Sequence, residues 1–227
     1  MYKKGYAEIK NVNTKKFWDT SFAKELSFQE QDEMTKRKID KLVSFIPKEN
    51  IKLLDLGFGQ GYIEERLQHK NILTQTTGID ISASAVKRAK KKFKGEFLEG
   101  DVLRAKKILK GKKFDVITAI ELIEHISPKD IFTFFKDIRT LLNPEGLLLI
   151  STPMNEGLQD SQDNPSGHVR DYRVATLKKE LELSGFEVTE VSLYIAFPKN
   201  YAVKNFIAKI FPNRWKANNI VIKARRV

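Results

Sequence analysis

Cysteine is absent from the 227 residues, which removes disulfides, thiolate nucleophiles and cysteine-ligated zinc together. Histidine is scarce, so histidine chemistry must come from His69, His125 or His168. His69 runs straight into Lys70 and Asn71 and reads as a surface residue. No stretch reaches the ~18 uninterrupted apolar residues of a membrane span. The opening MYKKGYAEIKNVNTKKFW contains no apolar segment of the signal-peptide kind. A soluble protein in the cytoplasm is expected, with peripheral membrane contact as the alternative. Oligomeric state leaves no mark in the chain.

Acid is also in deficit, with 29 Asp and Glu against 41 Lys and Arg and a formal net charge of +12. Such a balance suits an acidic partner: nucleic acid, an anionic membrane or a phosphorylated substrate. Yet the run KRAKKKFK at 87–94 falls where a solvated helix is expected, so part of the charge is ordinary surface composition.

The rest of the composition, 41% hydrophobic and 31% charged, is that of a globular domain, and the length suits one α/β core. Apolar positions Phe17, Phe22, Leu26, Ile39, Leu42, Val43 and Ile46 recur at helical spacing before Pro47. IKLLDLG at 51–57 is a short apolar run ending in an acid and a glycine, as a buried parallel strand does. Strands follow at 76–81, 95–101, 114–120 and 145–152, with helices at 62–68, 83–93 and 131–142 to cross between them. The tail reads as a helix at 174–184 stopped by Gly185, then strands at 186–193 and 218–227. The segment 194–217 between those strands has five basic residues and no acid. Lys199, Lys204, Lys209, Arg214 and Lys216 interleave there with Phe197, Tyr201, Phe206, Phe211 and Trp215. We therefore divide a single domain 1–227 into a helical cap (1–47), a core (48–193), a basic aromatic insertion (194–217) and a final strand (218–227).

Asp55, Gly57, Gly59 and Gly61 lie in DLGFGQG, between the first strand and the first crossover helix, where glycine lets a ligand approach the backbone. A dinucleotide fingerprint would need a third glycine where Tyr62 stands. Asp80 and Ile81 end the second strand, and Gly100, Asp101 and Val102 the third. Acids at the carboxyl ends of successive strands sit where open α/β sheets bind ligands.

Together these residues resemble class I S-adenosylmethionine (SAM) dependent methyltransferases, in particular the ubiquinone-pathway and glycan O-methyltransferase-like branch. The resemblance covers 51 to about 190 and includes FDVITAIELIEHI (114–126) and LLNPEGLLLISTP (141–153). It implies a Rossmann-like, mostly parallel seven-strand sheet of order 3-2-1-4-5-7-6, helices on both faces, and an N-terminal helical lid. It also implies SAM as cofactor, with Asp80 on the ribose hydroxyls, Asp101 and Val102 at the adenine, and Glu121 at the cofactor mouth. No Asn/Asp-Pro-Pro-Tyr/Phe turn follows the fourth strand, so exocyclic amino groups are a poor target and a hydroxyl is expected.

Glu121, Glu124 and His125 are spaced i, i+3, i+4 and would share a face if the chain turned helical there. E-x-x-E-H is similar to ubiquinone-pathway O-methyltransferases and to small-RNA 2′-O-methyltransferases, in which such residues are linked to a divalent metal. Ser151 to Asn155 and Gly167 to Arg170 approach the RNA enzymes only loosely, so a metal is left open and no ligand set is assigned. NPSGHVRDYRVATLKKELELSGFEV at 164–188 resembles a segment of methyltransferases acting on sugars, polysaccharides and secondary metabolites. His125 and His168 are thus the candidate catalytic residues, and a small molecule, glycan or lipid-linked molecule the expected acceptor. RNA 2′-O-methylation with a divalent metal is the alternative, and a SAM-binding subunit without catalysis a third.

Overall fold

Along β1 (Ile51–Leu56), Leu53 packs with one set of helices, and Leu54 and Leu56 with another. Side chains alternate across a strand, so a run that is apolar on both sides needs cover on both. The structure, a computed structural model, describes residues 11–48, 50–154, 164–197, 201–211 and 215–227, without the side chains of Asn205 and Lys209.

The other strands are β2 (Thr74–Asp80), β3 (Glu96–Glu99), β4 (Phe114–Ile120), β5 (Leu142–Pro153), β6 (Phe186–Tyr194) and β7 (Asn219–Arg226). They form one sheet of order β3-β2-β1-β4-β5-β7-β6, as expected. The first five run parallel, and β7 lies antiparallel between β5 and β6.

Helices α1 (Lys15–Ser21) and α2 (Glu33–Ser44) precede the sheet, and α3 (Tyr62–His69) and α4 (Ala83–Lys92) carry the first two crossovers. On one face, Ile39 and Leu42 of α2 and Ile63 and Leu67 of α3 meet Leu53, Val116, Leu149 and Val221. On the other, α5 (Ala105–Leu109), α6 (Ile131–Leu141) and α7 (Val174–Leu183) cover Leu54, Leu56, Ile117 and Ile150. α4 packs Ala85, Val86 and Ala89 against Phe58 and Phe97. The start of α2 is set by Asp32, whose carboxylate accepts the amides of Met34 and Thr35.

Two elements go beyond the sequence reading. The crossover from β3 to β4 contains a 3₁₀ turn (Val102–Arg104) and the short α5, ended by Lys110 and Gly111 at positive φ. Five helical residues are too few for an apolar period to register. The basic aromatic segment contains α8 (Tyr201–Ile210).

Candidate active site

The carboxyl ends of β1, β2 and β4 meet in a cleft beneath α1. Asp80 ends β2 in the buried interior, where one carboxylate oxygen accepts the Gly59 amide and the other the Ser82 amide, each at 2.8 Å. Burial raises its pKa, and the two amides work against that rise. The acid thereby ties the glycine loop to the second strand. Gly57 has φ +67°, and a Cβ there would come within 2.9 Å of the Leu122 side chain. At Gly59, a Cβ would come within 2.8 Å of the Phe22 ring.

A cavity of about 250 Å³ opens here, lined by Gly57, Asp80, Ile81, Asp101, Val102 and Glu121. Asp101 Oδ1 accepts the Leu103 amide at 2.9 Å and so starts the 3₁₀ turn. Asp55 and Gly59 line a second cavity of about 610 Å³, which shares Gly57, Glu121 and His125 with the first. Gly61 borders neither; it is the left-handed residue that starts α3. Asp55 is buried, and the Thr118 hydroxyl donates to it at 2.6 Å. Burial pushes Asp55 up to about 7, and the buried Glu64 beside it is raised as well.

After β4 the chain does not enter an α-helix. Glu121 takes φ +48°, and Ile123–His125 form a 3₁₀ turn, which separates the two glutamates. Ser151 Oγ donates to Glu121 at 2.5 Å, and Lys38 of α2 pairs with the same oxygen. Glu124 turns inward, and Thr152 Oγ1 donates to its Oε2 at 3.0 Å. Its Oε1 is buried and accepts no hydrogen bond among the described residues. Burial, with repulsion from Glu121, raises Glu124 well above the ordinary carboxylate range.

His125 lies in the cleft with Nδ1 3.1 Å from the Gly167 carbonyl oxygen. A carbonyl can only accept, so this contact places the proton on Nδ1 and leaves Nε2 with its lone pair. Burial holds the imidazole down to about 4, so it is neutral at neutral pH. His168 arrives because the Val169 amide donates to the Glu124 carbonyl at 2.9 Å, docking the 167–172 segment on the turn. The two imidazole centroids stand 5.1 Å apart.

A methyltransferase-domain family model matches residues 28–191. The chain belongs to that family. It carries a methyltransferase domain and shares the Rossmann-like fold of SAM-dependent methyltransferases. Among curated proteins it is similar to the ubiquinone biosynthesis O-methyltransferase of Pelagibacter ubique, 37% identical over 108 residues, 47% of this chain and 43% of that one. The Histophilus somni protein of the same description is 32% identical, over 44% of each chain. The match thus spans under half the length of these relatives. Among solved structures, a SAM-dependent methyltransferase from Archaeoglobus fulgidus aligns with TM-score 0.65 at 21% identity, over 88% of this chain and 96% of that one. The [4+2]-cyclase SpnF aligns with TM-score 0.66 at 18% identity, over 96% and 98%. Those likenesses carry the fold alone.

Helix α1 lies over this cleft. Trp18 stacks on Phe22 with centroids 5.6 Å apart and meets His125 edge-on at 4.8 Å. Asp19 accepts the Ser82 hydroxyl at 2.8 Å, and Asn13 donates to the Gly167 carbonyl at 2.8 Å. Trp18, Asn13, Lys38 and Asn219 are site residues that sequence reasoning missed. One signal was present: Lys38 stands between Met34 and Leu42, four residues from each, on the apolar stripe of α2. Glu124, His125 and His168 each offer a donor atom, all within 4.8 Å of one another. With the orphaned Glu124 oxygen, that set fits a divalent cation; Glu121 stands apart, held by Lys38.

Proposed function

We propose that this methyltransferase transfers the methyl group of SAM to a hydroxyl oxygen of a small molecule or glycan. One observation carries the reading: the cavity lined by Asp80, Ile81, Asp101 and Val102 shares His125 with the larger cavity that His168 borders. A cofactor held at the first three strand ends would thus point its reactive end at histidine. Ubiquinone biosynthesis O-methyltransferases among the similar proteins, and the His168-Val169-Arg170 segment, support oxygen as the target.

SAM supplies an electrophilic methyl group with its own leaving group, so the protein has chiefly to align the acceptor and keep water out. Asp80 would hold the ribose hydroxyls, and Asp101 and Val102 the adenine edge. Trp18 and Phe22 wall the reacting end, and His125 Nε2 would take the hydroxyl proton. Should a divalent cation bind, Glu124, His125 and His168 would hold it, and it would acidify the acceptor hydroxyl.

The test is calorimetric SAM binding by wild type, Asp80→Ala and Asp80→Asn, followed by transfer from methyl-labelled SAM into glycan, small-molecule and RNA fractions. Labelled product in the first two, lost with Asp80→Ala, is expected. Label confined to RNA, or SAM affinity unchanged in Asp80→Ala, would refute the assignment.

A further inference from the structure

The aromatic residues of the 194–217 segment do two different jobs. Phe197, Tyr201 and Trp215 are spent on holding the segment together: the Phe197 ring meets Tyr201 at 5.9 Å and Trp215 at 5.1 Å, both edge-on. The Arg37 guanidinium of α2 covers Tyr201 at 5.4 Å, and the Lys204 ammonium lies 5.7 Å from the Phe197 centroid. Tyr201 and Lys204 therefore mark the side of α8 that is tied to the body.

The opposite side is apolar and uncovered. Val203, Phe206 and Ile210 are 61%, 63% and 55% exposed, and Phe211 just beyond is 58% exposed. Spacings of three and four residues put these side chains on one stripe of the helix. A cluster of large exposed apolar groups on a short helix marks an interaction site rather than ordinary surface.

Charge decides the occupant. Residues 194–217 contain five bases and no acid, whereas the nearby acids Asp32 and Glu33 act on Tyr201, on the anchored side. Lys199 and Arg214 lie outside the described residues, and so does the Lys209 side chain. An apolar stripe in a segment with five bases and no acid suits the headgroup region of an anionic bilayer, where rings enter the acyl boundary and amines meet phosphates. At ten residues α8 cannot cross a membrane, and no helix of the described residues is long and apolar enough to do so.

We propose that the exposed face of α8 docks the protein on an anionic lipid surface, laying the helix in the plane of the interface. The segment also walls the larger cavity. Ala196 lines it, and its amide donates to Asn218 Oδ1 at 2.8 Å, fixing the lead into α8. Docking would then hold that cavity beside the membrane, where an amphiphilic acceptor would be presented. The docking itself does not depend on the methyl-transfer reading.

The experiment is co-sedimentation of the full chain with vesicles of phosphatidylglycerol and phosphatidylcholine, or of phosphatidylcholine alone, at low and high salt. Wild type should partition into the anionic vesicles on the order of tenfold more strongly, with the gap narrowing in salt. Phe206→Glu with Ile210→Glu should abolish the binding while Tm and SAM affinity stay as in wild type. Should that pair lower Tm, Phe206→Gln with Ile210→Gln serves instead, and lost binding is again expected. Equal, negligible pelleting with both vesicles, or unchanged pelleting of a folded variant, would overturn the proposal. So would a lipid-free dimer in sedimentation equilibrium that the same substitutions dissociate, since a second copy would then cover the face.

Discussion

The Lys38 ammonium lies 2.9 Å from Glu121 and 2.8 Å from Asn219 Oδ1, joining α2 to the ends of β4 and β7 in a single contact. Lys38 is only 3% exposed, whereas Glu121 opens onto the cavity. Enclosure alone would raise Glu121, but the Lys38 charge and the Ser151 hydroxyl outweigh it and hold the carboxyl below its ordinary range.

Removal of the two partners should therefore be unequal in cost. Lys38→Met leaves a carboxylate that cavity water can solvate, at a loss of about 1.5–3 kcal/mol. Glu121→Leu strands a buried ammonium, at about 3–5 kcal/mol. The double variant should recover part of the loss. Urea unfolding of all four proteins measures this, and equal costs for the single variants would disprove the asymmetry.

His125 should act without titrating in the working range. Its neutral form persists down to about pH 4, so His125 should add no inflection to the kcat profile between about pH 5.5 and 8. His125→Ala should lower kcat by about 10² to 10⁴, the range of a positioned base, and leave SAM affinity nearly constant. If Glu124, His125 and His168 hold a cation, chelator should reproduce the loss and added Mg²⁺ or Mn²⁺ restore it. A kcat inflection near the ordinary histidine value that persists in His168→Gln would count against the buried, neutral imidazole of His125.

Gly167→Ala tests the lid. Gly167 has φ +72°, and a Cβ there would come 2.8 Å from Asn13 Oδ1 and 3.4 Å from His125 Nδ1. The left-handed backbone alone costs about 1–2 kcal/mol for an alanine. The contact with Asn13 must also yield, which frees the start of α1. Faster hydrogen exchange at α1 amides and a raised KM for SAM are expected, with the sheet amides as protected as before.

Asp55 and Glu64 should make stability fall with rising pH. Asp55 titrates near 7 in the folded protein against 3.8 ordinarily, so the folded state binds the extra proton between those values. Stability from this group is thus full below about pH 4 and lost as pH rises through about 7. Glu64→Gln supplies a donor to Asp55 that cannot ionise, in place of an acid that must keep its proton to donate. Its stability should fall less steeply than that of wild type as pH rises, because the ionisation of Glu64 beside Asp55 is removed. Parallel stability curves for the two proteins would show that the ionisation of Glu64 is not linked to that of Asp55.

Legibility was uneven along the chain. β1 and β4 were readable because buried parallel strands are continuous apolar runs, and the loop DLGFGQG because its glycines and acid are contiguous. α5 escaped because AKKIL is shorter than two helical turns. The shared face of Glu121, Glu124 and His125 required a helix after β4, and that condition is not met: i, i+3, i+4 spacing describes a helix face only where φ permits, and Glu121 at +48° breaks it.

What the sequence by itself determined is the order of elements, the sheet topology through its family resemblance, and the acids at the strand ends. These depend on residues near one another in the chain, or on hydrophobic period, and both are written locally. What only the tertiary structure decided is the partnership of each group: Lys38 with Glu121, 83 positions away, and His125 with the Gly167 carbonyl, 42 positions away. It also decided that the Phe197 and Trp215 rings turn toward one another while Phe206 and Phe211 face out. Burial and charge pairing act through space, and an apolar or ionisable residue carries no local sign of which neighbour the fold will bring to it.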